Sequence, residues 1–240
     1  MYQKRPWAIK ICQINGIPVA IHVTFFLLLV WVAIEEIQAR RLPFGEVLFV
    51  MALFGCVVLH ELGHALAAAR FGIKTREIAL YPFGGVASVL KEATPGAEII
   101  IALAGPAVSC MSALLFYPLS SIDPQKFTVS AQFDFATRLF AANLMLALFN
   151  LTPAFPMDGG RILRAVLALA GLKRATEIAA CLSQILTVFL AAAALYYGNE
   201  ILILIAAFVF LNALQEYKRA RAMRITLSLK TQTPDLSEEK

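Results

Sequence analysis

The pentad His60-Glu61-Leu62-Gly63-His64 has the residue types and the spacing of a zinc-dependent hydrolase, and it lies inside a long apolar stretch. Residues four apart project from the same face of a helix, so the two imidazoles can share one metal ion while Glu61 stays beside it. Zinc lowers the pKa of a bound water molecule to about 7 and polarises a carbonyl, and a neighbouring carboxylate can move the proton. The pentad therefore predicts His60 and His64 as zinc ligands and Glu61 as general base.

The same pattern also occurs by chance in soluble helices, so its setting matters. Two of the three histidines of the chain fall in the pentad. The alternative is a pair of imidazoles that hydrogen-bond to neighbouring helices, with Glu61 paired to an arginine. That alternative leaves three adjacent polar groups at membrane depth without a function, and such groups are costly there.

A catalytic zinc site needs a third protein ligand, and Asp158 is the best candidate for it. Asp158 follows two prolines and precedes a glycine pair in an irregular segment at the end of an apolar stretch. It could instead form an Asx-turn or cap the helix that follows. His22 is a competing candidate for the third ligand, although it could equally be a histidine at the membrane interface.

The composition indicates an integral membrane protein. The chain has 240 residues, of which 60% are hydrophobic and 15% are charged. Its mean hydropathy is +0.73. Several apolar stretches approach or exceed the roughly 20 residues that cross a bilayer as a helix. We therefore predict an all-α polytopic membrane protein with about six transmembrane helices, at residues 20–34, 47–71, 97–119, 133–151, 175–197 and 200–217.

Two segments do not read as simple spanning helices. Residues 78–90 are apolar but contain Pro82 and the pair Gly84-Gly85, which favours a short extended segment or hairpin between the second and third helices. Residues 150–160 contain two prolines and a glycine pair, which predict an irregular turn. Helix is expected to resume at Arg161 and to run to Leu169.

The distribution of lysine and arginine predicts the orientation in the membrane. These residues are concentrated at both ends of the chain and in alternate loops, and only Arg40, Arg41, Lys126 and Arg138 fall on the opposite side. The positive-inside rule then predicts that both termini are cytoplasmic. The expected organisation is an N-terminal cytoplasmic segment at 1–19, a membrane-embedded domain at 20–222 and a disordered cytoplasmic tail at 223–240.

The net charge of +5 does not indicate nucleic-acid binding, because the cationic residues lie between apolar spans and not on a basic stripe. A transporter or a non-proteolytic zinc-binding membrane protein is the alternative class of function. A transporter predicts repeated halves or a trail of acidic groups through several spans, and the sequence has neither. A catalytically silent membrane chaperone could dispense with Glu61.

Together these residues resemble the site-2 protease family of intramembrane metalloproteases, which combines HExxH with a distant NxxPxxPxDG motif. Both motifs are complete here, as HELGH at 60–64 and NLTPAFPMDG at 150–159. NGIPVAIH at 15–22, the glycine pair at 84–85 and AGP at 104–106 are also similar to the family. The resemblance covers roughly residues 14–165.

The resemblance implies a zinc metalloendopeptidase with one zinc ion per chain, whose substrates are transmembrane proteins in the lipid bilayer. It implies Asp158 as the third ligand, Glu61 as the base and Asn150 as a polar group near the substrate or the oxyanion. It also implies a location in a prokaryotic cytoplasmic membrane. Ser109 is a departure, because it stands where the family often has asparagine, so the role of that amide is in doubt here.

A transmembrane substrate hides its carbonyls in helical hydrogen bonds and must unwind before hydrolysis. We hypothesise that residues 78–90 offer an extended edge to the unwound segment, with Gly84 and Gly85 allowing a close approach. The alternative is a loop that only covers the helical bundle.

Overall fold

The computed structural model describes residues 7–40, 42–82, 84–89, 93–120, 122–123, 128–129 and 134–232. The chain divides into two units, one that ends at Asn150 and one that begins at Leu151. The first unit contains six strands and four helices: β1 Ala8–Ile14, β2 Ile17–His22, α1 Val23–Gln38, α2 Phe44–Arg70, β3 Thr75–Tyr81, β4 Gly84–Val89, α3 Pro95–Phe116, β5 Ile122–Asp123, β6 Thr128–Val129 and α4 Phe135–Asn150. The second unit contains α5 Asp158–Leu169, α6 Ala175–Tyr196 and α7 Glu200–Gln232.

Four helices are long and apolar enough to cross a membrane, namely α2, α3, α6 and α7. The prediction of a mostly helical membrane protein is therefore confirmed. The helices α1 and α4 match the other two predicted spans but have 16 residues each. At about 1.5 Å per residue they are shorter than the roughly 30 Å hydrocarbon core, so length alone does not establish them as spans.

The first unit also contains a four-stranded sheet with the order β1-β2-β3-β4. The predicted hairpin between the second and third helices is present, since β3 and β4 pair antiparallel. The description of the fold as all-α is too narrow, because β1 and β2 form a second hairpin before the first helix. That hairpin occupies most of the predicted N-terminal segment 1–19, and α1 begins at Val23 and not at Ala20.

The sheet packs on α2, the helix that carries the pentad. Ile17 and Ile78, from the parallel neighbours β2 and β3, contact Leu62 and Ala65. Further along β3, Leu80 packs with Phe54. The strand β3 therefore runs back along α2 from the end at Arg70.

The second unit is built on a helical hairpin. The helices α6 and α7 are joined by a turn in which Gly198 has a φ of 63°, and the side chain of Asn199 accepts a hydrogen bond from the backbone N–H of Leu202. Only three residues separate the two helices, so they are antiparallel neighbours. The helix α5 begins at Asp158, three residues before the predicted start. The helix α7 continues to Gln232, which corrects the expectation of disorder for 223–232, and residues 233–240 lie outside the described residues.

Candidate functional site

The first unit holds a buried pair of imidazoles on α2. His60 and His64 are 3% and 7% exposed, and their Nε2 atoms lie 3.1 Å apart. Two nitrogens bound at about 2.1 Å to one tetrahedral zinc ion are separated by about 3.4 Å, so the observed separation is close to that of a shared ligand pair. The geometry of the pair therefore fits zinc.

The other nitrogen of each ring is engaged by α3. His64 Nδ1 lies 2.7 Å from the carbonyl oxygen of Ile101, which can only accept, so this nitrogen is the donor. His60 Nδ1 lies 2.9 Å from Ser109 Oγ. A histidine that donates from Nδ1 has its lone pair on Nε2, and such partners fix the orientation of metal-binding rings. Nε2 of His64 can therefore act as a ligand, and Nε2 of His60 can do so when its Nδ1 donates to the serine oxygen.

Ser109 contacts the imidazole pair, and sequence reasoning did not assign it a role. The serine hydroxyl reaches His60 from the position where the family often has asparagine. A signal was present in the spacing, because Ile101, Gly105 and Ser109 are four residues apart and share one face of α3. A small polar residue on that face of an apolar helix indicates a buried hydrogen bond.

Gly105 forms the surface beneath the two imidazoles. A Cβ atom at this position would lie 2.2 Å from His64 Nε2 and 2.8 Å from His60 Nε2. A side chain here would occupy the space where both nitrogens point, so glycine keeps that space open. On α2, Gly63 has a related role, because a Cβ there would lie 2.8 Å from the backbone oxygen of Ala104. The two glycines let α2 and α3 approach closely.

Glu61 follows His60 on α2 and is partly exposed, in contrast to the buried residues on either side of it. A carboxylate in this position is not shielded on all sides by protein. A general base must be accessible to a reactant, and the partial exposure of Glu61 is compatible with that role.

Asp158 lies in the second unit and is 7% exposed. It occupies the first turn of α5, where the helix dipole favours a carboxylate, and its Oδ1 lies 3.6 Å from Arg161 Nη1. Met157 is the N-cap residue of α5, and no side chain caps this helix. The alternative in which Asp158 is the N-cap is therefore not observed.

The segment before Asp158 is held in place within the second unit. The backbone N–H of Phe155 donates to Ser183 Oγ at 3.0 Å, and Ser183 in turn donates to the carbonyl of Ala179. A Cβ atom on Gly159 would lie 2.3 Å from the backbone oxygen of Leu151, and one on Gly160 would lie 2.7 Å from the backbone of Phe155. The glycine pair therefore lets this segment fold tightly over the first turn of α5.

The other predicted site residues are in the first unit. Asn150 ends α4 and donates from Nδ2 to the carbonyl of Leu146. Gly84 and Gly85 begin β4, opposite Tyr81 and Leu80 of β3. These positions put the glycine pair on the outer strand of the sheet.

His22, the competing ligand, has a structural setting of its own. Its Nδ1 lies 2.8 Å from Thr24 Oγ1 at the start of α1, and its ring stacks on Tyr81 with a centroid distance of 4.9 Å. Helix capping and ring stacking account for this residue without a metal.

Comparison with known proteins identifies relatives over nearly the whole chain. The model of peptidase family M50 matches residues 48–141 and 123–193. Zinc metalloprotease MJ0392 of Methanocaldococcus jannaschii is 38% identical over 245 residues, which cover 97% of this chain and 70% of that protein. Stage IV sporulation protein FB of Bacillus subtilis is 32% identical over 150 residues, which cover 60% of this chain and 46% of that protein.

A solved structure agrees with these matches. The site-2 protease from Methanocaldococcus jannaschii superposes with a TM-score of 0.63 at 38% sequence identity, covering 88% of this chain and 95% of that one. The family model spans both the pentad on α2 and the segment that leads into α5. With a relative that matches along almost the full length, the chain belongs to peptidase family M50, the site-2 proteases, which are intramembrane zinc metalloproteases.

Proposed function

We propose that this intramembrane zinc metalloprotease holds one zinc ion per chain through His60, His64 and Asp158, and that Glu61 is its general base. The observation that carries the proposal is the buried imidazole pair, whose Nε2 atoms lie 3.1 Å apart while each Nδ1 is engaged by α3. Asp158 adds a buried carboxylate from the second unit. Two imidazoles and one carboxylate are a ligand set that catalytic zinc sites use.

The proposed metal and the side chains of the protein have different roles in the hydrolysis. Zinc bound by these residues would supply Lewis acidity, which polarises a peptide carbonyl and lowers the pKa of water to about 7. Glu61 accepts the proton of the attacking water and delivers it to the leaving amine. Ser109 and the carbonyl of Ile101 keep the two imidazoles in the orientation that leaves Nε2 toward the metal.

The substrates proposed for this site are transmembrane segments of membrane proteins, cut within or near the bilayer. A helical substrate must unwind before a carbonyl becomes available. In the described part of the chain, β4 is the outermost strand on its side of the sheet, and Gly84 and Gly85 begin it. An extended substrate can add to this edge through main-chain hydrogen bonds. Asn150 is proposed to contact the substrate or the oxyanion.

The membrane arrangement proposed has six spans, formed by α1, α2, α3, α4, α6 and α7, with both termini in the cytoplasm of a prokaryotic cell. Support comes from the lysine and arginine bias and from the exposed apolar side chains of the two shorter helices, such as Leu27 and Trp31 on α1 and Met145 and Leu148 on α4. A short helix can span where flanking residues snorkel or the bilayer thins. The transporter alternative is not favoured, because the relatives are named as metalloproteases.

Removal of the proposed third ligand tests the site directly. Asp158→Ala is expected to lose both bound zinc and cleavage of a single-span model substrate, because two imidazoles alone hold the metal weakly. The measurements are metal analysis of the purified protein and a cleavage assay in detergent or vesicles. Asp134→Ala is the matched control, since Asp134 accepts a hydrogen bond from the N–H of Thr137 at the start of α4 and has no proposed role in the site. Full zinc occupancy and normal cleavage in Asp158→Ala would refute the assignment and make His22 the next candidate.

A further inference from the structure

One stripe of α5 packs on the helical hairpin of the second unit. Leu163 and Leu167 contact the cluster formed by Phe155, Ala179, Ala180 and Ala213. Ala179 and Ala180 lie in the first turns of α6, and Ala213 lies on α7 shortly before its cationic residues begin. The helix α5 therefore lies against one end of the hairpin and not along its middle.

A second stripe of α5 is apolar and exposed. Val166 is 49% exposed and Leu169 is 61% exposed, and Leu172, just after the helix, is 42% exposed. Ile162, Val166 and Leu169 have the spacing of one helix face. Exposed apolar side chains in a regular stripe indicate a surface that is covered by another apolar phase.

Cationic residues lie at the same end of the hairpin. Lys173 and Arg174 are exposed and directly precede α6. On α7, Arg224 is paired with Glu177 of α6 at 3.1 Å, which ties the two helices together at this end. Arg221 is exposed on the same stretch of α7. An apolar stripe beside lysine and arginine is the pattern of a helix that lies in a membrane interface.

We propose that α5 lies in the plane of the membrane interface and that the second unit binds anionic phospholipid there. The side chains of Val166, Leu169 and Leu172 enter the boundary between headgroups and acyl chains. Lys173 and Arg174 bind the headgroup phosphates. The partner is lipid, because the stripe is apolar and its neighbours are cationic. An anionic bilayer surface can bind both. It concerns the outer surface of the second unit and does not depend on the assignment of the zinc ligands.

Fluorescence quenching by brominated lipids tests the depth of α5. The two native tryptophans, Trp7 and Trp31, are both exposed, so they are first replaced by phenylalanine. Leu169→Trp is then introduced into this tryptophan-free background. Phe208→Trp, at an exposed position in the apolar part of α7, is the matched control. In vesicles, tryptophan at 169 is expected to be quenched most by bromine near the headgroup end of the acyl chain, and tryptophan at 208 most by bromine near the chain terminus. Val166→Trp repeats the measurement if Leu169→Trp does not fold.

A comparison of anionic and zwitterionic lipids tests whether Lys173 and Arg174 bind headgroup phosphates. One cationic residue near an anionic surface contributes roughly a fivefold preference. Brominated phosphatidylglycerol is therefore expected to quench the tryptophan at 169 at least about threefold more effectively than brominated phosphatidylcholine. Lys173→Gln/Arg174→Gln should remove this preference, whereas Lys10→Gln/Lys74→Gln, which removes the same charge elsewhere, should keep it.

Four results would overturn the proposal. Absence of quenching at 169 would indicate that α5 faces water or another protein. Strongest quenching by deep bromine would indicate that it lies within the hydrocarbon core. Equal quenching by the two lipid classes, or a preference that survives Lys173→Gln/Arg174→Gln, would show that these two residues do not bind anionic headgroups.

Discussion

The two histidines of α2 depend on residues of α3 that are not themselves proposed as ligands. Ser109 and the carbonyl of Ile101 hold the rings, and Gly105 leaves space at their Nε2 atoms. Partners of this kind commonly change metal affinity by about ten- to a hundredfold when they are removed. The chemistry of the pentad is therefore shared between two helices.

Gly105→Ala is expected to weaken zinc binding by at least about tenfold, because its methyl group would displace His64 Nε2. Competition with a chelator at fixed pH measures this change. The matched control is Gly55→Ala on α2, where a Cβ atom meets nothing within 4 Å. If both variants bind zinc equally well, the space beneath the imidazoles is not part of the metal site.

The proposed ligands and base follow from residue type, whereas the contacts that hold the two imidazoles depend on the packing of two helices. HExxH specifies two imidazoles and a carboxylate by a local rule, since the spacing of four is set by the helix itself. Ser109 is 49 residues from His60 in sequence, and only the packing of α3 on α2 brings them together. The contact with the carbonyl of Ile101 cannot be predicted from residue type, because every residue has a backbone carbonyl.

Of the two hairpins in the sheet, only one was predicted from the sequence. Pro82 and the glycine pair broke the helical pattern at 78–90, and a hairpin is found there. The hairpin of β1 and β2 was missed, although its turn is Asn15-Gly16, with φ values of 48° and 80°. Asn-Gly between apolar residues is a strong hairpin signal, but the apolar stretch that follows it favoured a membrane helix instead.

Gly85→Val tests whether the edge of β4 binds the substrate. A β-branched side chain would crowd an extended segment that pairs with this edge, so kcat/KM is expected to fall at least about tenfold while zinc content is unchanged. Cleavage of a single-span substrate by the purified variant measures this. Val89→Ile, which enlarges a side chain on the same strand, serves as the control. Normal cleavage by Gly85→Val would mean that the hairpin only covers the bundle.

The whole molecule is apolar enough for membrane insertion, but helix length and hydropathy together identify only four of the six predicted spans among the described residues. Hydropathy measures the transfer of side chains from water into an apolar phase. It does not show that α1 is shortened by the strand before it, or that α4 is shortened by the irregular segment after it. The orientation is predicted from the lysine and arginine residues in the loops, so it does not depend on helix length. Orientation therefore needs a measurement of its own.

Cysteine labelling in intact cells or sealed vesicles tests the proposed orientation. In a background without Cys12, Cys56, Cys110 and Cys181, a cysteine at position 42 is expected to react with an impermeant reagent from outside. A cysteine at position 74 should react only from the cytoplasm, because the positive-inside rule places that loop there. The reverse pattern of labelling would refute the orientation.

Glu61→Gln tests the central claim most directly, because glutamine keeps the size of the side chain but cannot accept a proton. General-base catalysis contributes about a hundredfold to ten-thousandfold, so cleavage of a single-span substrate should fall by at least that factor while zinc content remains that of the wild type. His60→Ala, measured in parallel, should lose zinc as well as activity, since it removes a ligand. Near-normal cleavage by Glu61→Gln would show that another group activates the water, and loss of its zinc would show that Glu61 is a ligand and not the base.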